Sequence, residues 1–218
     1  LQDVDMACAE MERCIKELGF VGTLVNGFSQ VDQEESAVYY DLPQFDPFWD
    51  VVAISRSPVI ASHSGVYSVY PHPRNMKDDM LIALAQNGGV VQINGYSTYL
   101  REIKQDPRRT KVFATLMDEY GAWHRLPIDE QIEPRRISNE INRRYPKKLA
   151  HLTDLVDHID YAVDLIGIDH VGISMDFDGG GGVSSASEVS EMENLTTELV
   201  RRGYTEDEIG KFWGLNLL

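Results

Sequence analysis

Cysteine is scarce in this sequence of 218 residues, with two in all, and no apolar run is long. A membrane-spanning helix needs about 18 consecutive apolar residues, and no stretch approaches that. Cys8 and Cys14 lie in a helical pattern but on different faces of it, so one helix cannot bridge them. Two thiols without a framework exclude a disulfide-stapled scaffold and fit a reducing, cytoplasmic compartment. Two motifs are also missing. No H-E-x-x-H spacing occurs, and no Lys-Ser/Thr comes after Gly179–Gly182, which excludes a phosphate loop. The first residue is Leu1 and the segment after it is acidic and amphipathic, so no signal peptide is expected there; a trimmed chain or a fragment is the expectation.

The residues that are present have the balance of a globular domain. The hydrophobic share is 43% and the charged share 25%, which argues against disorder, collagen and coiled coil. The net charge of −15 is unevenly spread, at −9 for residues 1–50 and −11 for residues 149–218. The middle carries a small excess of bases, among them Arg108, Arg109, Arg143 and Arg144, interleaved with acids. A molecule this acidic repels polyanions, so nucleic acid is not an expected partner.

Hydrophobic periodicity predicts a helix from Asp3 or Asp5 to Leu18, ended by Gly19, and then a buried strand over 20–27. Residues 29–47 read as a loop, followed by a short helix through Phe48 and Ile54 and a strand over Pro58–Ser62. A helix over 76–87 leads to the strand 90–94. Helices are expected around 110–124 and 130–144, then one from Lys148 to Ile166. The strand 170–179, with its exit loop, precedes helices over 187–202 and from Thr205 to Phe212. Four buried strands separated by helices predict an α/β fold with a parallel sheet, built as part of a TIM-type (β/α)8 barrel.

In such folds the functional side chains gather at the carboxyl ends of the strands. Three ends carry suitable residues. His63, in Ser62-His63-Ser64, reads as a metal ligand or as a hydrogen-bonded structural group. Asp176 and Asp178, before the glycines, suit metal binding or proton transfer, and equally an acidic turn. Arg74, in His72-Pro73-Arg74-Asn75, suits a bidentate contact with a carboxylate or a surface ion pair. His151 and His158 share a helical face that reads as structural, and His124 and His170 lie in no motif.

From about Phe48 onward the chain resembles the membrane (renal) dipeptidase family of zinc metallopeptidases. The strings that carry the resemblance are SRSPVIASHSG, HPRNMKDDML, NGGVVQIN, DLVDHIDYAVDLIGIDHVGISMDFDGGGG and ELVRRGYTEDEIGKFWGLNLL. The resemblance implies a metal-dependent, amidohydrolase-like barrel that hydrolyses dipeptides with two zinc ions. By the same resemblance His63 is a zinc ligand, Arg74 binds the substrate carboxylate and Asp176 is the catalytic residue that handles the proton beside the zinc-bound water. The family's first-strand His-x-Asp pair and its bridging Glu have no counterpart here, and Leu42 stands where its other zinc His is expected.

Residues 1–50 resemble instead the 2,6-dihydroxybenzoate (γ-resorcylate) decarboxylases, on MERCIKELGFVGTLVNGFSQ and YYDLPQFDPFW. In that family an HPRN-type string supplies a metal-binding His, to which His72 would correspond. The organisation expected is a decarboxylase-like unit over 1–50 joined near Phe48-Trp49-Asp50 to a dipeptidase-like half barrel over 51–218. Three functions are therefore weighed: a zinc dipeptidase, a catalytically inactive hybrid or fragment, and a decarboxylase-like lyase. Four strands cannot close an eight-stranded barrel, which predicts exposed edges or a homo-oligomer.

Overall fold

A computed structural model describes residues 3–19, 28–30, 37–39 and 58–218. The strand expected over 20–27 and the short helix through Phe48 and Ile54 lie outside the described residues. Helix α1 (Val4–Leu18) begins where the Asp3 carboxylate accepts the Met6 N–H at 2.9 Å, and it ends at Gly19 with φ 70°. None of its residues is buried, and neither Cys8 nor Cys14 is in a disulfide.

Strands β1 (Phe28–Gln30) and β2 (Ala37–Tyr39) pair antiparallel, with Ser29 opposite Val38. This corrects the single loop expected over 29–47. The polar spacing hid a pair of strands, because a β-branched and aromatic run such as Ala37-Val38-Tyr39 satisfies its backbone groups best in a ladder.

The main sheet holds β3 (Ile60–Ser64), β4 (Val90–Asn94) and β5 (Val171–Ser174), all parallel, in the order β3-β4-β5. Helix α2 (Asp78–Gln86) connects the first two strands. Between β4 and β5 come α3 (Ser97–Leu100), α4 (Pro107–Tyr120), α5 (Ile132–Arg144) and α6 (Leu152–Ile166). Helices α7 (Met192–Arg202) and α8 (Glu206–Phe212) close the chain. This is the α/β architecture expected from the sequence, with three parallel strands among the described residues.

Side chains alternate across the sheet and divide its chemistry. Val91, Ile93 and Val171 belong to one apolar core with Leu81 and Leu84 of α2, Leu155 and Ile159 of α6, and Phe212 of α8. Gln92 and Asn94, paired with Gly172 and Ser174, lie in the alternate positions and make the other face polar.

Local chemistry shifted several boundaries. Strand β3 runs two residues later than expected, so His63 and Ser64 are inside it. Helix α6 starts at Leu152 rather than Lys148, because His151 caps it and donates its N–H to the Asp154 carboxylate at 2.7 Å. Strand β5 is short because Asp176, two residues beyond it, turns into the left-handed region with φ 53°. Thr205 caps α8 in a reciprocal box with Glu208, as the sequence predicts.

Candidate active site

The carboxyl end of β3 is irregular. Ala61 pairs with Val91 but Ser64 pairs with Ile93, so β3 has one residue more than β4 opposite it. A bulge of this kind re-aims a side chain next to a site, and here it carries Ser62-His63. The Ser62 hydroxyl and His63 Nδ1 lie 2.8 Å apart, while His63 Nε2 lies 3.2 Å from Nη2 of Arg74.

Arg74 reaches that position from the turn after β3. The His72 Nδ1 accepts the Arg74 N–H at 3.1 Å, and the Arg74 C=O accepts from the Ser64 hydroxyl at 3.0 Å. Its guanidinium lies over the Tyr99 ring, 5.5 Å from the centroid, and the same ring packs against His72 at 4.5 Å. Asn75 ties the turn to the β4 side by donating from Nδ2 to the C=O of Tyr70 and of Tyr99, at 2.9 and 2.7 Å. Burial pushes the His72 pKa down, with the Arg74 charge acting in the same direction.

Beyond β5, Asp176 is anchored through its backbone. Its C=O accepts from Gly179 N–H at 3.1 Å and from Gly181 N–H at 2.7 Å. Only glycine fits at 181, where a Cβ would lie 1.9 Å from the Met175 C=O, while one on Gly179 would lie 2.3 Å from Asp176 Oδ1 and displace that carboxylate. The glycine turn is held from outside by Lys147, whose ammonium donates to the Gly180 C=O at 3.0 Å and lies 5.6 Å from the Tyr96 ring centroid. Ser97 joins the same cluster, donating to the Gly182 C=O at 2.6 Å and accepting from Ala150 N–H at 2.9 Å.

His63 and Arg74, both singled out in the sequence, are thus in contact. Asp176 is two strands away, about 10 Å by the ordinary spacing of neighbouring strands. Tyr96 and Tyr99 were missed by sequence reasoning. The signal for them was available, since two tyrosines in the loop after a buried strand fall at the end of the sheet where sites form. His158 is buried on its helix, facing the core.

The described residues do not suit a two-metal centre. Both His63 nitrogens face protein partners, one of them a guanidinium cation. Among the described residues no three His, Cys, Asp or Glu side chains come together to hold a metal ion.

The chain is 33% identical over 170 residues to the dipeptidase ataJ of Aspergillus terreus, a match covering 78% of this chain and 31% of that protein. The probable dipeptidase PvdM of Pseudomonas aeruginosa superposes with a TM-score of 0.55 at 34% identity, over 78% of this chain and 45% of PvdM. A metallopeptidase of Rhodobacter sphaeroides, solved with a phosphinate mimic of the dipeptide L-Ala-D-Ala, shares the fold with a TM-score of 0.54 at 24% identity, over 78% of this chain and 37% of its own. The chain therefore spans about a third of the length of the curated dipeptidases it matches.

A separate segment of 75 residues is 47% identical to the gamma-resorcylate decarboxylase of Polaromonas sp., covering 34% of this chain and 20% of that enzyme. This is the second likeness read from the sequence. The segment is longer than the stretch preceding the dipeptidase family match, so the two likenesses overlap. Residues 45–218, four-fifths of the sequence, match membrane dipeptidase, peptidase family M19, a family of metallopeptidases, and the chain belongs to that family.

Proposed function

We propose that this chain serves dipeptide hydrolysis, as a zinc-dependent dipeptidase by descent, and that the step its own residues perform is capture of the dipeptide's C-terminal carboxylate by Arg74. The observation that supports this is the placement of Arg74 at the carboxyl end of β3, half-buried, with His63 beside it and the Tyr99 ring against it. A planar guanidinium offers paired donors to a carboxylate, and an aromatic ring against it restricts its plane. The mimic of L-Ala-D-Ala bound by the Rhodobacter sphaeroides relative carries such a dipeptide frame.

In this reading Asp176 is the catalytic acid–base group, held in place by its glycine turn, and His63 is the family's metal ligand. The metal of the family would be zinc. The described residues do not gather a ligand set for it. Carboxylate capture stands without a metal. Self-association through sheet edges belongs to the same reading, and sedimentation at two protein concentrations tests it.

A second reading, a catalytically inactive hybrid that binds carboxylates, is favoured by the Arg74–His63 contact, since a guanidinium occupies the nitrogen a metal would need. One experiment separates the two: titration of the chain with an Ala-Ala dipeptide and with its C-terminal amide, followed by an assay for free amine with added zinc. Tighter binding of the dipeptide with amine release supports the dipeptidase. Tighter binding without release supports the inactive binder, and equal binding of the amide removes both. Turnover of 2,6-dihydroxybenzoate would identify the decarboxylase-like lyase.

A further inference from the structure

His158 on α6 is wholly buried, and both of its ring nitrogens are bonded to backbone groups, one in the loop after β3 and one at the end of α3. Its Nδ1 lies 2.9 Å from the Val66 nitrogen and its Nε2 lies 3.2 Å from the Leu100 C=O. An amide only donates and a carbonyl only accepts, so the ring is neutral with its proton on Nε2. Burial pushes the His158 pKa down and favours that neutral form.

The two bonds reach opposite sides of the site. Val66 lies three residues after His63, and its loop is stitched to the Arg74 turn. Met76 N–H donates to the Gly65 C=O at 2.9 Å, and Tyr67 N–H donates to the Met76 C=O at 2.8 Å. Leu100 is next to Tyr99, whose ring lies against the Arg74 guanidinium. Helix α6 contributes none of the three residues assigned to the site, yet one of its side chains spans the loops that do.

We propose that His158 is a positioning residue for carboxylate capture: its ring fixes the loop after β3, which follows His63 and leads to Arg74, against the loop segment after β4 that includes the short helix α3 with Tyr99. The proposal rests on Arg74 as the carboxylate site. A residue that merely filled the core would need neither a second nitrogen nor a defined tautomer.

The test uses two variants of the full chain. His158→Leu keeps the bulk and removes both hydrogen bonds, and His158→Asn keeps an acceptor where Nδ1 stands and loses the reach to Leu100. Thermal melting reports folding, the ring resonances of Tyr99 and His63 report the loops, and the Kd for an Ala-Ala dipeptide reports capture. The expected result is a shift of both sets of resonances and a Kd raised by about ten-fold in His158→Leu. His158→Asn should move Tyr99 alone, with a smaller rise in Kd. If His158→Leu does not fold, His158→Asn decides by the Tyr99 resonances. Folded variants with unmoved resonances and an unchanged Kd overturn the proposal. Failure of the wild-type chain to bind any dipeptide would remove the functional reading instead, and the resonances alone would then decide whether His158 holds the two loops.

Discussion

Nη2 of Arg74 lies 3.2 Å from Nε2 of His63. A guanidinium has donors and no acceptor, so a hydrogen bond here makes Nε2 the acceptor and leaves the ring proton on Nδ1, facing the Ser62 hydroxyl at 2.8 Å. His63 is therefore neutral in this arrangement, and its one lone pair points at a cation. Metal binding through Nε2 and this contact exclude each other.

The contact gives the first prediction. Arg74→Ala should weaken binding of an Ala-Ala dipeptide by about ten- to a hundred-fold, the loss expected for a charge-assisted pair of hydrogen bonds. Binding of the dipeptide amide should hardly change. Calorimetric titration of both ligands checks this, and an equal loss for the two would show that Arg74 does not meet the carboxylate.

Zinc content gives the second. Elemental analysis after zinc loading and dialysis should find well under two zinc ions per chain. His63→Ala should make little difference, because no cluster of three ligand side chains forms among the described residues. Two retained ions, lost in His63→Ala, would mean that residues outside the described ones complete the site.

The glycine turn after β5 is a steric requirement. Gly181→Ala would bring a Cβ to 1.9 Å from the Met175 C=O, a clash with backbone that no side-chain movement relieves. Forcing the turn open should cost about 1–3 kcal/mol, which lowers the Tm by roughly 2–4 °C per kcal/mol in a domain of this size. A melting curve overlapping that of the wild type would show that the turn is adjustable.

Core and surface should respond very differently to truncation. Leu155 on α6 is fully buried in the cluster against the sheet, whereas Ile128 is 85% exposed. Leu155→Ala should destabilise by about 2–5 kcal/mol and Ile128→Ala by less than about 0.5 kcal/mol. Denaturant titration of the two variants makes the comparison directly.

Acid stability should depend on the ion cluster between α6 and α7. Arg201 most strongly, and Arg202 with it, hold the Glu198 carboxyl at about 2 against an ordinary 4.5, while burial works in the opposite direction. Arg202 also reaches Asp157 and Asp160 on α6, and Tyr204 donates to Asp160 at 2.7 Å. An acid whose folded value is depressed contributes its full stabilisation above its unfolded value and loses it as pH falls toward the folded one. The Tm should therefore fall between about pH 4.5 and pH 2, and Glu198→Gln should flatten that part of the profile.

The sequence by itself determined the α/β class, the main helices and strands from residue 58 onward apart from the short helix α3 and several boundaries, and the family. Periodicity sets these elements, since Val90, Val91 and Ile93 mark a buried strand and Thr205 with Glu208 marks a helix start without further context. His63, Arg74 and Asp176 were legible as candidates because glycines, prolines and strand ends flag the segments that carry sites. Only the tertiary structure decided which of them meet. The bulge in β3 brings His63 to Arg74, while β4 lies between both and Asp176. The tie from His158 to Val66 and Leu100 spans 92 and 58 residues of chain. No local pattern encodes such a contact, because it exists only when three elements pack and leave one buried imidazole as the partner for two backbone groups.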